Sequence, residues 1–206
     1  MISPLDAPSR RELNKAATRQ SIILAAVDLA RERGLGNFTA EDLAEAAGVS
    51  RRTFFNYFSS ADEAIAAPTF GFLDAALDRF RERPPGEPLL ESAINALVGL
   101  ADHELMAPMA QSFIVAHGHD PVTRFQLQAF DECSEKIVAA IRKREGDSLD
   151  ELYVQALAGS VMACGKASLQ VWFAERGGDL SPSSIDRLRE LLMASIAHLK
   201  CGFAVP

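Results

Sequence analysis

Apolar residues recur every three or four positions along most of this 206-residue chain, and no stretch alternates strictly between apolar and polar as a half-exposed strand does. Residues 14–33 put Ile22, Ala25, Ala26 and Leu29 on one face, and Gly34 follows where a helix C-cap belongs. Thr39, with Asp42 three residues on, forms a capping box for a short helix that carries Leu43, Ala46 and Ala47 inward and stops at Gly48. Ser50 caps a third helix. Ser60 with Glu63 opens a fourth over residues 60–80, through Ile65, Phe72, Leu73, Ala76 and Leu77. The one strong break is RERPPGEP at residues 81–88.

Beyond the break the pattern predicts helices over residues 88–101 and 103–116, the latter interrupted at Pro108, and over 120–146, capped by Asp120 with Pro121 at the first helical position. A capping box of Ser148 and Glu151 opens a long helix through Trp172 that Gly177-Gly178 closes. Ser181-Pro182 starts the last one, with Ile185, Leu188, Leu192, Ile196 and Leu199 on one stripe. The expectation is an all-α protein of about nine helices.

The third helix sorts its side chains sharply. In SRRTFFNYFSS, residues 50–60, Phe54 and Phe58 lie four apart and share the buried face, while Arg51, Arg52, Thr53, Phe55, Asn56 and Tyr57 fall on the others. Two short helices around a glycine turn, the second exposing Arg, Thr and Asn, form a helix-turn-helix signature. The chemistry suits DNA: arginine grips guanine bidentately, while Thr, Tyr and helix N-termini hold phosphates.

Charge supports a polyanion partner at this end only. The chain carries a net −7, yet residues 1–58 hold eight Lys/Arg against seven Asp/Glu, leaving −8 for the remainder. With 24% charged and 48% hydrophobic residues the composition is that of a globular protein. No apolar run reaches membrane-spanning length and the N-terminus has no signal-like core, so a cytoplasmic protein without a membrane partner is expected. Cys133, Cys164 and Cys201 are far apart and read as small reduced core residues. His117 and His119 in HGHD lack a helical partner at i+4, and Asp120 serves better as a cap, so no metal is expected; His103 and His198 are solitary. Nucleophile-elbow, P-loop, zincin and dinucleotide signatures are missing, and neither an enzyme nor a cofactor is expected.

The segment TRQSIILAAVDLARERGLGNFTAEDLAEAAGVSRRTFFNYFSSADEAI, residues 18–65, resembles the DNA-binding domain of the tetracycline-repressor (TetR) family. That resemblance implies an all-helical homodimer that binds double-stranded operator DNA and leaves it when a small-molecule effector occupies the larger domain. It carries DNA contact onto Thr39, Ser50, Arg51, Arg52, Thr53, Phe55, Asn56 and Tyr57. Phe55 stands where the family often has Tyr and Ala61 where Lys is common, so two phosphate contacts are lost; a basic arm with Arg10, Arg11 and Lys15 is offered as compensation. The domains are placed at residues 1–60, the helix-turn-helix with this arm, and 61–206, for ligand and dimer. More weakly, RPPGEP and the helices behind it are similar to the C-terminal domain of the mycofactocin-system regulators, which implies an acyl-CoA-like ligand.

Surface arginines are ordinarily just solvated, and helically spaced Met and Phe are ordinarily just core. The capped frame around Arg51 and Arg52 points instead to DNA, and adaptable Met with flat aromatics suits a greasy ligand. Met106, Met109, Phe113, Phe130 and Trp172 are the expected ligand contacts, and the last two helices the expected dimer interface, because the stripe of the final helix needs a partner. The alternative is a helical acyl- or lipid-binding module without DNA binding.

Overall fold

The computed structural model describes residues 9–99 and 103–204, without the side chains of His103 and Asp147. Residues 1–8 of the expected first domain, residues 100 and 101 at the expected end of the fifth helix and the His103 side chain lie outside that set. Among the described residues the chain forms nine α-helices and one single-turn 3-10 segment, with no strand. They are α1 (Arg10–Arg33), α2 (Ala40–Ala46), α3 (Arg51–Phe55), α4 (Ala61–Arg81), α5 (Leu89–Val98), α6 (His103–Ala116), α7 (Asp120–Glu145), α8 (Glu151–Arg176) and α9 (Pro182–Lys200). Two compact units divide inside α4, between Ala67 and Pro68, and the chain passes between them once.

In the first unit α2 packs against both α1 and α3. Ile22, Ala26 and Leu29 of α1, Leu43 and Ala44 of α2, and Phe54 and Phe58 are buried. The inward residue beside Leu43 is Ala44, not Ala46, because seven residues of helix turn only one narrow face to the core. The expected basic arm is also helix: Ser9 accepts from the Glu12 N–H at 3.3 Å and Glu12 accepts from the Ser9 N–H at 2.7 Å, a capping box that extends α1 back through Arg10 and Arg11. Between α2 and α3, Gly48 takes φ +68°, a left-handed turn open to glycine at little cost.

The largest buried side chain of the second unit, Trp172 of α8, is tied to α9. Trp172 is fully buried, and its Nε1 donates to the Ser184 carbonyl oxygen at 2.9 Å. Leu188, Ile185, Leu192 and Ile196 of α9 are buried in the same unit, with Leu199 half-buried. The apolar stripe of α9 is thus consumed within the chain against α8, α5 and α6, and does not itself require a second subunit. α6 continues through Pro108, its sixth residue, and forgoes one backbone hydrogen bond there. The cap of α8 is Asp150, accepting from the Tyr153 N–H at 3.1 Å; Ser148 lies in the 3-10 turn and donates to the Glu145 carbonyl. Asp120 is the first residue of α7 and His119 its cap. Cys133 and Cys164 are buried as expected, whereas Cys201 is exposed beyond the end of α9.

The break at residues 81–88 is ordered by Glu87. Its carboxylate accepts from Arg83 at 2.7 and 2.9 Å, from Ser92 at 2.6 Å and from Asn95 at 2.7 Å, and Arg144 of α7 donates to its backbone carbonyl. These donors, Arg83 first, hold the carboxyl down at about 2 against an ordinary value of 4.5. A lowered carboxyl stabilises the fold above its ordinary value and ceases to do so as pH falls towards 2. Glu87→Gln should therefore lower the urea midpoint at pH 7 and flatten its fall between about pH 4.5 and 2. A variant with the wild-type acid slope would show that Glu87 is not the titrating contact.

Candidate nucleic-acid interface and effector cavity

A helix of five residues cannot hold its own conformation. Its hold is lateral. Phe54 and Phe58 are 0% and 2% exposed, with ring centres 6.2 Å apart, and the Arg19 guanidinium of α1 lies 5.1 Å from the Phe58 ring centre. At the other end Ser50 Oγ accepts from the Thr53 N–H at 3.0 Å and lies 2.8 Å from Thr53 Oγ1. The hydroxyls of Ser50 and Thr53 are thereby paired with each other.

With Phe54 inward, Arg51, Arg52, Phe55 and Asn56 are exposed, and Thr53 and Tyr57 half-buried. Phe55, 45% exposed, meets Phe54 edge-on at 5.1 Å. Thr39 is exposed at the start of α2 but tightly engaged: its N–H and hydroxyl donate to Asp42 Oδ2 at 2.8 and 2.7 Å. These bonds lower the Asp42 carboxyl below its ordinary value, with Arg33 at 3.6 Å a lesser cause. Any phosphate contact by Thr39 must therefore compete with an anion already in place. The eight residues expected on the DNA face are all in the first unit. Sequence reasoning missed Glu41, whose Oε1 lies 2.7 Å from Arg51 Nε. A pairing between two helices leaves no periodic trace along one of them.

The second unit holds a partly open cavity of about 90 Å³ walled by α4 through α9. Its lining is apolar apart from Thr69 and Cys133, and contains no charged side chain. Burial pushes the Cys133 thiol up to about 11, so it is a neutral part of that wall. Of the five expected ligand contacts, Met109 and Phe130 line this cavity. Met106, Phe113 and Trp172 do not: Met106 is buried in the core, Phe113 packs edge-on to Phe173 at 6.0 Å, and Trp172 is tied to Ser184. The missed lining includes Phe72, Leu73 and Leu77 of α4 and Met162 of α8. His117 stacks on Phe173 at 4.2 Å, and no group of three or more His, Cys, Asp or Glu side chains converges among the described residues. No described helix is long and apolar enough to cross a membrane.

Residues 22–67 match the family described as bacterial regulatory proteins, tetR family. The helix-turn-helix of the first unit is thus of the TetR type. Over 203 residues the chain is 29% identical to the HTH-type transcriptional regulator TcmR of Streptomyces glaucescens, spanning 91% of this chain and 89% of that protein. A TetR-family protein from Syntrophomonas wolfei superposes with a TM-score of 0.63 at 21% identity, over 93% of this chain and 98% of that one. FadR of Thermus thermophilus, a TetR-family repressor solved with lauroyl-CoA, does so with a TM-score of 0.54 at 24% identity, over 91% and 96%. At these identities the two structures establish a TetR-type fold over about nine-tenths of the chain.

Proposed function

We propose that this TetR-type regulator is a homodimeric repressor that binds a pseudo-palindromic operator and leaves it when a small hydrophobic or acyl-CoA-like effector enters the second unit. The observation that carries the reading is the sorting of residues 51–58, α3 and the turn after it: Phe54 and Phe58 in the core, with Arg51, Arg52 and Asn56 exposed. Arginines placed so can reach guanine edges, with Tyr57 and the start of α2 beside the phosphate backbone.

The dimer reading rests on α8. With the stripe of α9 consumed internally, the outward face of α8 carries Leu152, Ala156, Gly159, Ala163, Ala167 and Val171, all exposed, with Lys166 the one charged residue between them. Leu152 is 76% exposed, an expensive position for a leucine in water. Small residues let two helices approach closely, and α8 with α9 from each subunit would form a four-helix interface about a two-fold axis.

The effector reading rests on the cavity. A void of about 90 Å³ is smaller than the roughly 150 Å³ that accepts a benzene, so an acyl chain enters only if the lining moves. Met109 and Met162 are the adaptable members of that lining. Uncharged walls suit an apolar tail and leave any phosphate-bearing head outside. The lauroyl-CoA held by Thermus FadR and the resemblance of the RPPGEP region to mycofactocin-system regulators both favour an acyl thioester. Six cavity residues, Thr69 to Phe80, belong to α4, the helix that begins in the DNA-binding unit, so a ligand that displaces them biases that helix.

Selection of bound fragments from random DNA should yield an inverted repeat with half-sites about one helical turn apart. Arg51→Ala and Arg52→Ala should each cost about 1–3 kcal/mol on that operator, whereas Tyr57→Phe should weaken all sequences alike. A double alanine variant that binds like wild type would refute the assignment. Ala163→Arg on the open face of α8 should give a monomer by sedimentation and abolish operator binding; an intact dimer would move the interface elsewhere. Long-chain acyl-CoA should raise the melting temperature and weaken operator binding, with DNA weakening ligand affinity by the same factor. If acyl-CoAs leave both unchanged while a small aromatic or cationic drug shifts them, the acyl reading fails and the regulator reading stands.

A further inference from the structure

Arg51 is held from two directions. Its Nε lies 2.7 Å from Glu41 Oε1 on α2, and its guanidinium carbon lies 5.5 Å from the centre of the Phe55 ring. That ring meets Phe54 edge-on at 5.1 Å, and Phe54 is fully buried. The chain of contacts therefore runs from the core, through one exposed aromatic, to the arginine, and closes on a carboxylate from a second helix.

A guanidinium is a rigid planar fork. A carboxylate at its Nε edge and a ring towards its face leave the two Nη groups as the edge offered outward, and a pair of parallel donors is what guanine O6 and N7 accept. We infer that Glu41 is a positioning residue for base readout by Arg51, fixing the fork before DNA arrives. This rests on the DNA-binding function proposed above.

Glu41 then has two effects of opposite sign. As a negative charge it repels phosphate at every sequence alike. As a clamp it sharpens the choice at one base pair only. Both side chains are more than half exposed, 66% for Arg51 and 54% for Glu41, so the clamp is a weak one, a factor of about two to five in an equilibrium constant.

The test measures binding of the full chain to its selected operator, to the same operator changed at each base pair, and to unrelated DNA. It compares wild type with Glu41→Gln, Glu41→Asp, Arg51→Ala and the Glu41→Gln/Arg51→Ala double variant. Glu41→Gln should tighten binding to unrelated DNA yet lower discrimination about two- to fivefold at one base pair per half-site. That pair should be the one at which Arg51→Ala loses discrimination altogether. Glu41→Asp keeps the charge but withdraws it, and should lose the same discrimination without tightening binding to unrelated DNA. In the Arg51→Ala background Glu41→Gln should alter only sequence-independent binding. An equal change at all sequences would mean that the carboxylate acts through its charge alone, and overturns the inference, as does unchanged discrimination. If the wild-type chain selects no sequence, the DNA-binding reading falls and this one with it; selection that is indifferent to Glu41 overturns the positioning role alone.

Discussion

The burial of Phe54 is the contact on which the first unit turns. Five residues of α-helix have no stability of their own, so α3 exists because one ring, fully removed from water, fastens its middle and Phe58 fastens the turn after it. Everything the helix displays follows from that orientation. Put Phe54 inside and Arg51, Phe55 and Asn56 must face out. The Ser50 cap and the left-handed Gly48 then set where the helix starts, which settles how far the arginines stand from the end of α2.

Charge in this unit is distributed locally rather than by the molecule's total. Two basic groups near α3 are set against acids, Arg51 against Glu41 and Arg33 against Asp42. Such pairs add little to stability at the surface. Their bearing is on posture, since a paired side chain gives up part of its freedom before any partner approaches.

Legibility in the sequence followed the distance over which each feature is encoded. The caps at Thr39, Ser50 and Ser181 and the stop at Gly34 are written within four residues, and the structure forms them. Where two local candidates competed the nearer acid won: Asp150, directly ahead of α8, displaced Ser148. The all-helical fold and the outward set on α3 were likewise readable, because periodicity records which face is buried. It does not record what buries it. The stripe of α9 was correctly seen as apolar but assigned to a second subunit, when α8, α5 and α6 cover it. The cavity was half visible for the same reason. Met109 and Phe130 look no different along the chain from Met106 and Phe113, and only the packing of six helices decides which pair faces a void.

If the void is the effector site proposed above, it recognises by volume alone. With no charged group and scarcely a polar one in its wall, it can tell two ligands apart only by how well they fill it, and a methylene more or less in an apolar site changes affinity about 10- to 200-fold. Exchanges among leucine, isoleucine, alanine and methionine in the wall are therefore sufficient to give the protein a different chemical signal to answer. None of those residues precedes Thr69, while α1, α2 and α3 all lie before it. On the function proposed above, descendants of this chain inherit the same DNA address while drifting to new inducers, one methyl group at a time.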